Sequence, residues 1–149
     1  MPELPEVETT VKGLRAKVLN RAFVDMWTDW EKMARLRSSF HIKGRNNFEV
    51  FKKELRGKKI VQMRRRAKNV IFELSGGYSL LVHMKMTGHL MVGAWKLEKQ
   101  KWKSLVPGPL EEPINQFLHI IWTLDDSQQI ALSDMRKFAK VELWKTDEL

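Results

Sequence analysis

A chain of 149 residues that is 43% hydrophobic has enough apolar surface for one domain with a core of its own. It holds no cysteine, which excludes disulfides, a cysteine nucleophile and any cysteine-ligated zinc or iron–sulfur site within these residues. The formal net charge is +9, and the segment 43–68 carries eleven Lys or Arg against two Glu, so a polyanion, nucleic acid first, is the expected partner. With no run of twenty apolar residues and no basic-then-apolar leader, the expectation is a soluble cytoplasmic protein with no membrane partner.

The first element follows from periodicity. Val7, Val11, Leu14 and Val18 recur at helical spacing, which predicts a helix from 5 to about 19, with Pro5 in its first turn and Asn20 as its stop. Strand-like runs follow at "AFVDMW", "KIVQMRR", "NVIFELS" and "YSLLVHMKM", the last two joined by a hairpin turn at Gly76 and Gly77. Between the first two runs a short helix, "NFEVFKKEL", is expected, capped by Asn47 and stopped by Gly57. The stretch "AWKLEKQKWKSLVPGPLEEP" holds three prolines and a glycine and reads as a long loop. A second hairpin is expected from "FLHIIWTL" through the turn "DDSQ" to "QIALSD". Apolar residues on both parities of several strands imply two covered faces. The expected fold is therefore α+β and mainly β: an antiparallel β-sandwich flanked by an N-terminal helix and a second short helix.

The opening "MPELPEVETT" adds chemistry to that architecture. With Met1 removed, Pro2 becomes a terminal secondary amine, and the pKa of about 7.7–8.0 typical of an α-amino group leaves a usable unprotonated fraction at neutral pH. Secondary amines attack sugar aldehydes to give iminium ions, which make the neighbouring C–H acidic enough for elimination. Glu3 beside it could protonate a deoxyribose ring oxygen or carry protons through that elimination.

"PELPEVETTVKGL" resembles the amino-terminal signature of the formamidopyrimidine-DNA glycosylases, a family related to endonuclease VIII. Three more segments stand in that family's order: "RRRAKNVIFEL", "HMKMTGHL" and "SDMRKFAKVELW". The resemblance runs through residues 1–149 and covers the family's amino-terminal catalytic domain. The helix-two-turn-helix and zinc-finger domain of complete members has no counterpart in it. No cofactor is therefore expected in this chain, the family's zinc belonging to that other domain.

The resemblance implies base-excision DNA repair: a bifunctional glycosylase and abasic-site lyase that excises oxidised purines (formamidopyrimidines, 8-oxoguanine) and then cleaves the strand by β,δ-elimination. It implies damaged double-stranded DNA as partner, a monomer, and a bacterial cytoplasmic protein held at the nucleoid by its DNA. Residue by residue, it implies that Pro2 is the nucleophile that forms the imine and Glu3 the catalytic acid. Glu6 is an acidic position ordering water near the sugar, and Lys68 a phosphate contact beside the lesion. Met86, Arg136 and Phe138 match the three residues that enter the duplex. Met fills the vacated stack, Phe wedges between neighbouring pairs, and Arg bonds the orphaned base. Arg64, Arg65 and Arg66 are candidate DNA contacts from the basic run. Two readings stand beside this one: a DNA-binding fragment with impaired catalysis, and an endonuclease VIII-like enzyme for oxidised pyrimidines. The segment "SDMRKFA" departs from the family pattern at Met135, Lys137 and Ala139, where proline, arginine and glycine are usual. His83 matches a family histidine but reads as a satisfied sheet histidine before a catalyst, and Asp125–Asp126 reads as a turn before a metal site.

Overall fold

Helix α1 (Leu4–Val18) shows why the first element forms although three of its four core positions are valine. Val7, Val11, Leu14 and Val18 are at most 3% exposed. Each buried side chain contributes about 1.5–3 kcal/mol, against a helix-propensity cost of at most about 0.7 for a valine, so burial decides. Asn20, at φ 69°, turns the chain out of the helix.

The computed structural model describes residues 4–29, 34–36, 48–84, 88–99, 101–105, 108, 110, 118–134 and 139–149. Within them the strands are β1 (Phe23–Thr28), β2 (Ala34–Leu36), β3 (Ile60–Arg66), β4 (Asn69–Leu74), β5 (Tyr78–His83), β6 (Gly88–Gly93), β7 (Trp95–Glu98), β8 (Lys101–Ser104), β9 (Leu118–Leu124), β10 (Gln129–Asp134) and β11 (Lys140–Lys145). The second helix, α2, is Phe48–Leu55, followed by Gly57 at φ +84°. Its expected cap, Asn47, lies outside the described residues.

Two sheets form the sandwich, one in the order β1-β9-β10-β6 and the other β2-β11-β5-β4-β3. The pairs are antiparallel except β2 with β11, which is parallel, so the antiparallel expectation holds with that one correction. Helix α1 packs on β3 and β6, one edge from each sheet, while α2 packs on β1 and β2, the two opposite edges. The helices thus close both open sides of the sandwich. Between the sheets lie Phe23, Met26, Met63, Phe72, Leu80, Ile120 and Trp122, each at most 2% exposed.

The segment read as a long loop is corrected by the structure. Residues 95–104 form the β7–β8 hairpin, with Lys99 in the left-handed conformation at φ 47° in its turn. Its underside meets the outer face of the first sheet. Trp95 is buried with Leu118, Ile121 and Ala131, and the ring of Trp102 stands edge-on to Trp27 at 5.5 Å. The aromatic anchors outweigh the proline and glycine signals, which fall in the chain that follows.

Candidate nucleic-acid interface

Strand register brings four distant segments to one end of the sandwich. In the second sheet Arg66 pairs Asn69, and both Asn69 and Lys140 pair His83, so the β3–β4 turn, the end of β5 and the start of β11 stand abreast. In the first sheet Gly88 pairs Asp134. The end of β5 and the start of β6 therefore stand beside the start of β11 and the end of β10, respectively. The N-terminal turn of α1 joins them, since Glu6 and Thr10 line a small cleft of about 50 Å³ with Met84, Gly88, His89 and Leu90.

Local chemistry ties down each connection. The Gly88 N–H donates to the Met84 carbonyl at 2.9 Å, which ties the start of β6 to the residue that follows β5. A Cβ on residue 88 would stand 2.5 Å from that carbonyl oxygen, so glycine is required for this closure. Across the second connection the Ala139 N–H donates to the buried Asp134 carboxylate at 2.6 Å. Ala139, where the family pattern has glycine, is fully buried and places its methyl in the core. Between β3 and β4 the turn is two residues long, with Ala67 at φ 53° and Lys68 half-buried beside it.

The described candidates divide into occupied and available groups. Arg64 donates to Glu73 at 3.0 Å, and Arg65 donates to Glu8 at 2.8 Å and to the Ala67 carbonyl at 3.2 Å. Arg66 is exposed and makes no ion pair among the described residues. The Arg65 hydrogen bond holds the Glu8 carboxyl below its ordinary pKa, although partial desolvation works against it. Glu6 is exposed on the first turn of α1. The His83 ring donates from Nε2 to Glu142 at 3.0 Å, and Glu142 also accepts from the Trp144 indole at 3.2 Å, as expected for a satisfied sheet histidine. Asp125 and Asp126 lie in a turn and face Arg21. Pro2, Glu3, Met86, Arg136 and Phe138 lie outside the described residues. Gly88, Asp134 and Glu8 position the described segments through partners that the sequence reading did not assign to them. Their role depends on register partners more than forty residues away or on backbone closure, neither of which leaves a local pattern.

The chain contains no cysteine. No group of three or more acidic or histidine side chains suited to a metal occurs among the described residues.

The model of the formamidopyrimidine-DNA glycosylase N-terminal domain matches residues 1–141. The chain belongs to this family. It is 32% identical over 148 residues to the formamidopyrimidine-DNA glycosylase of Pediococcus pentosaceus, covering 99% of this chain and 45% of that protein. The enzyme of Herpetosiphon aurantiacus is 31% identical over 144 residues, covering 96% and 44%. Among solved structures, Lactococcus lactis Fpg in complex with abasic-site DNA superposes with a TM-score of 0.72 at 27% identity, covering 98% of this chain and 45% of that one. The wild-type Lactococcus lactis protein with DNA containing N7-benzyl-Fapy-dG gives 0.73 at 28%, covering 99% and 45%. The chain thus spans less than half the length of these relatives.

Proposed function

We propose that this chain is the catalytic portion of a bifunctional DNA glycosylase and abasic-site lyase acting on oxidised purines in duplex DNA. One observation carries the reading: the family's signature segments, scattered from residue 4 to residue 140, converge on one end of the sandwich. In this reading the Pro2 amine attacks C1′ of the damaged nucleotide, and the base departs with the electrons of its bond and takes up the proton that the amine nitrogen loses. Glu3 protonates the ring oxygen as the sugar opens, leaving an iminium between Pro2 and C1′. That cation acidifies the C2′ hydrogen, so its loss expels the 3′ phosphate and a second elimination expels the 5′ phosphate. Water then hydrolyses the iminium and frees the amine. Lys68 holds a phosphate beside the lesion, and Glu6 orders water near the sugar. Arg136 and Phe138 favour purine lesions, since Arg can bond the base left opposite and Phe can wedge its neighbours.

Borohydride trapping on an abasic duplex tests this. A preparation whose intact mass lacks Met1 is expected to give a covalent protein–DNA adduct. A Met1-retaining preparation should give none, because its Pro2 nitrogen is a tertiary amide with no nucleophilic lone pair. Glu3→Gln should excise a damaged base poorly yet still trap a preformed abasic aldehyde. Absence of any adduct from the Met1-free chain at saturating protein would overturn the reading.

A further inference from the structure

Resting on that reading, we infer that the β7–β8 hairpin is a second DNA-contacting surface, which engages phosphates of the duplex beyond the site. Antiparallel pairing sets Trp95 opposite Ser104 and Leu97 opposite Trp102, while Lys96 pairs Lys103 and Glu98 pairs Lys101. Successive residues of a strand point to opposite faces, so the aromatic face lies on the sheet and the charged face looks outward. All of Lys96, Glu98, Lys99, Lys101 and Lys103 are exposed. A two-stranded hairpin alone is marginal in water. Here buried Trp95, whose N–H donates to Gln129 Oε1 at 2.6 Å, and the Trp102–Trp27 contact fix it in place.

Position and charge both point to DNA. Gln129 pairs Gly93 at the end of the sheet remote from the site, whereas Trp27 is one residue short of Thr28, the β1 terminus that pairs Ile120 near the start of β9. The hairpin therefore runs from the remote end toward the site end. Four of the nine basic residues in 69–149 sit on it against one acid, while the rest of that stretch carries five basic and nine acidic residues. Glu98 meets Lys103 at 3.6 Å, but both are well exposed, and such pairs exchange readily for another anion.

The test is the salt dependence of binding to a long duplex with a central abasic analogue, read by fluorescence anisotropy on the 149-residue chain. Replacing Lys96, Lys99, Lys101 and Lys103 by Gln is expected to reduce the log–log slope by about two to three units, at about 0.9 per lost phosphate contact. A control variant makes the same change in charge at the opposite end, with Lys17, Lys53, Lys59 and Lys145 replaced by Gln, and should leave the slope within about one unit. Near-UV circular dichroism should be unchanged in both, because the tryptophans keep their places. An unaltered slope in the hairpin variant, or equal losses in both variants, overturns the hairpin surface while leaving the site reading intact. Failure of the unmodified chain to bind the duplex at all overturns both.

Discussion

Gly88 and Asp134 show how single residues fix the backbone at the converging end of the sandwich. Adding a methyl at Gly88 forces a contact of 2.5 Å with the Met84 carbonyl, so the Gly88–Met84 bond must open or β6 must shift. Gly88→Ala is therefore expected to cost about 1–3 kcal/mol, the usual penalty of overpacking, and to lower adduct yield further than the lost stability explains. Thermal denaturation alongside trapping checks both parts, and an unchanged Tm would sink the steric argument. Asp134 makes a complementary case. Asp134→Ala leaves the Ala139 N–H buried without its acceptor, at a cost of about 1–3 kcal/mol, whereas Asp134→Asn keeps an oxygen in place and should lie between wild type and alanine. If asparagine proved as damaging as alanine, the role of Asp134 would be its charge and not the closure of the loop.

At the scale of elements, apolar burial seats the two helices and one ion pair ties each of them to the sandwich. Glu8 on α1 meets Arg65 on β3, and Asp25 on β1 meets Lys52 on α2 at 2.9 Å. Burial pushes the Asp25 carboxyl up, yet the Lys52 bond, the Met26 N–H and the charges of Lys52 and Arg56 together outweigh it and leave the carboxyl below its usual value. A carboxylate with a depressed folded-state pKa stabilises the fold above its unfolded pKa, and the contribution is lost as pH falls through the folded value. Glu8→Gln should thus be less stable than wild type at neutral pH. The difference should close as pH drops below the ordinary glutamate pKa of about 4.3. A gap that persisted in acid would mean that Glu8 acts by packing. Helix α1 and the 69–83 and 118–134 hairpins were legible in the sequence because their signals are local: a 3.6 period, the glycine pair at 76–77, the Asp-Asp turn. Strand β2 was not, since three residues become a strand only by pairing with Val141, Glu142 and Leu143 more than a hundred positions later. The β7–β8 hairpin was hidden because its turn uses Lys99 instead of glycine or asparagine. Family membership was legible through its motifs, whereas the Gly88–Met84 and Ala139–Asp134 bonds were not.

Across the whole molecule, clustering of charge along the chain differs from clustering in space. The basic segment 43–68 reads as one polyanion surface, but its described residues are spent in several ways. Lys52 is held by Asp25, Arg64 by Glu73 and Arg65 by Glu8. Lys58 bonds the Glu54 carbonyl and lies 4.1 Å from the centre of the Tyr78 ring, where burial lowers its pKa although Glu54 opposes this. Lys53, Arg56 and Lys59 are exposed near the end remote from the site, where Gly57 bonds Phe23 and Lys59 bridges Ala22. At the converging end stand Arg66 and Lys68, with Arg65 beside them turned to Glu8 and the Ala67 carbonyl. Arg66→Gln should accordingly reduce the salt slope of duplex binding by about one unit, while Lys53, Arg56 and Lys59 changed together to Gln should leave it nearly unaltered. Arg65→Gln should behave differently from both. Its primary effect is to release Glu8 and loosen α1, so the loss should appear in thermal stability before it appears in the slope. Parallel salt titrations and melting curves on the three variants separate these outcomes. Equal slope losses for the Arg66 and the remote variants would mean that the protein attracts DNA by its net field, with no localised phosphate contact at the turn.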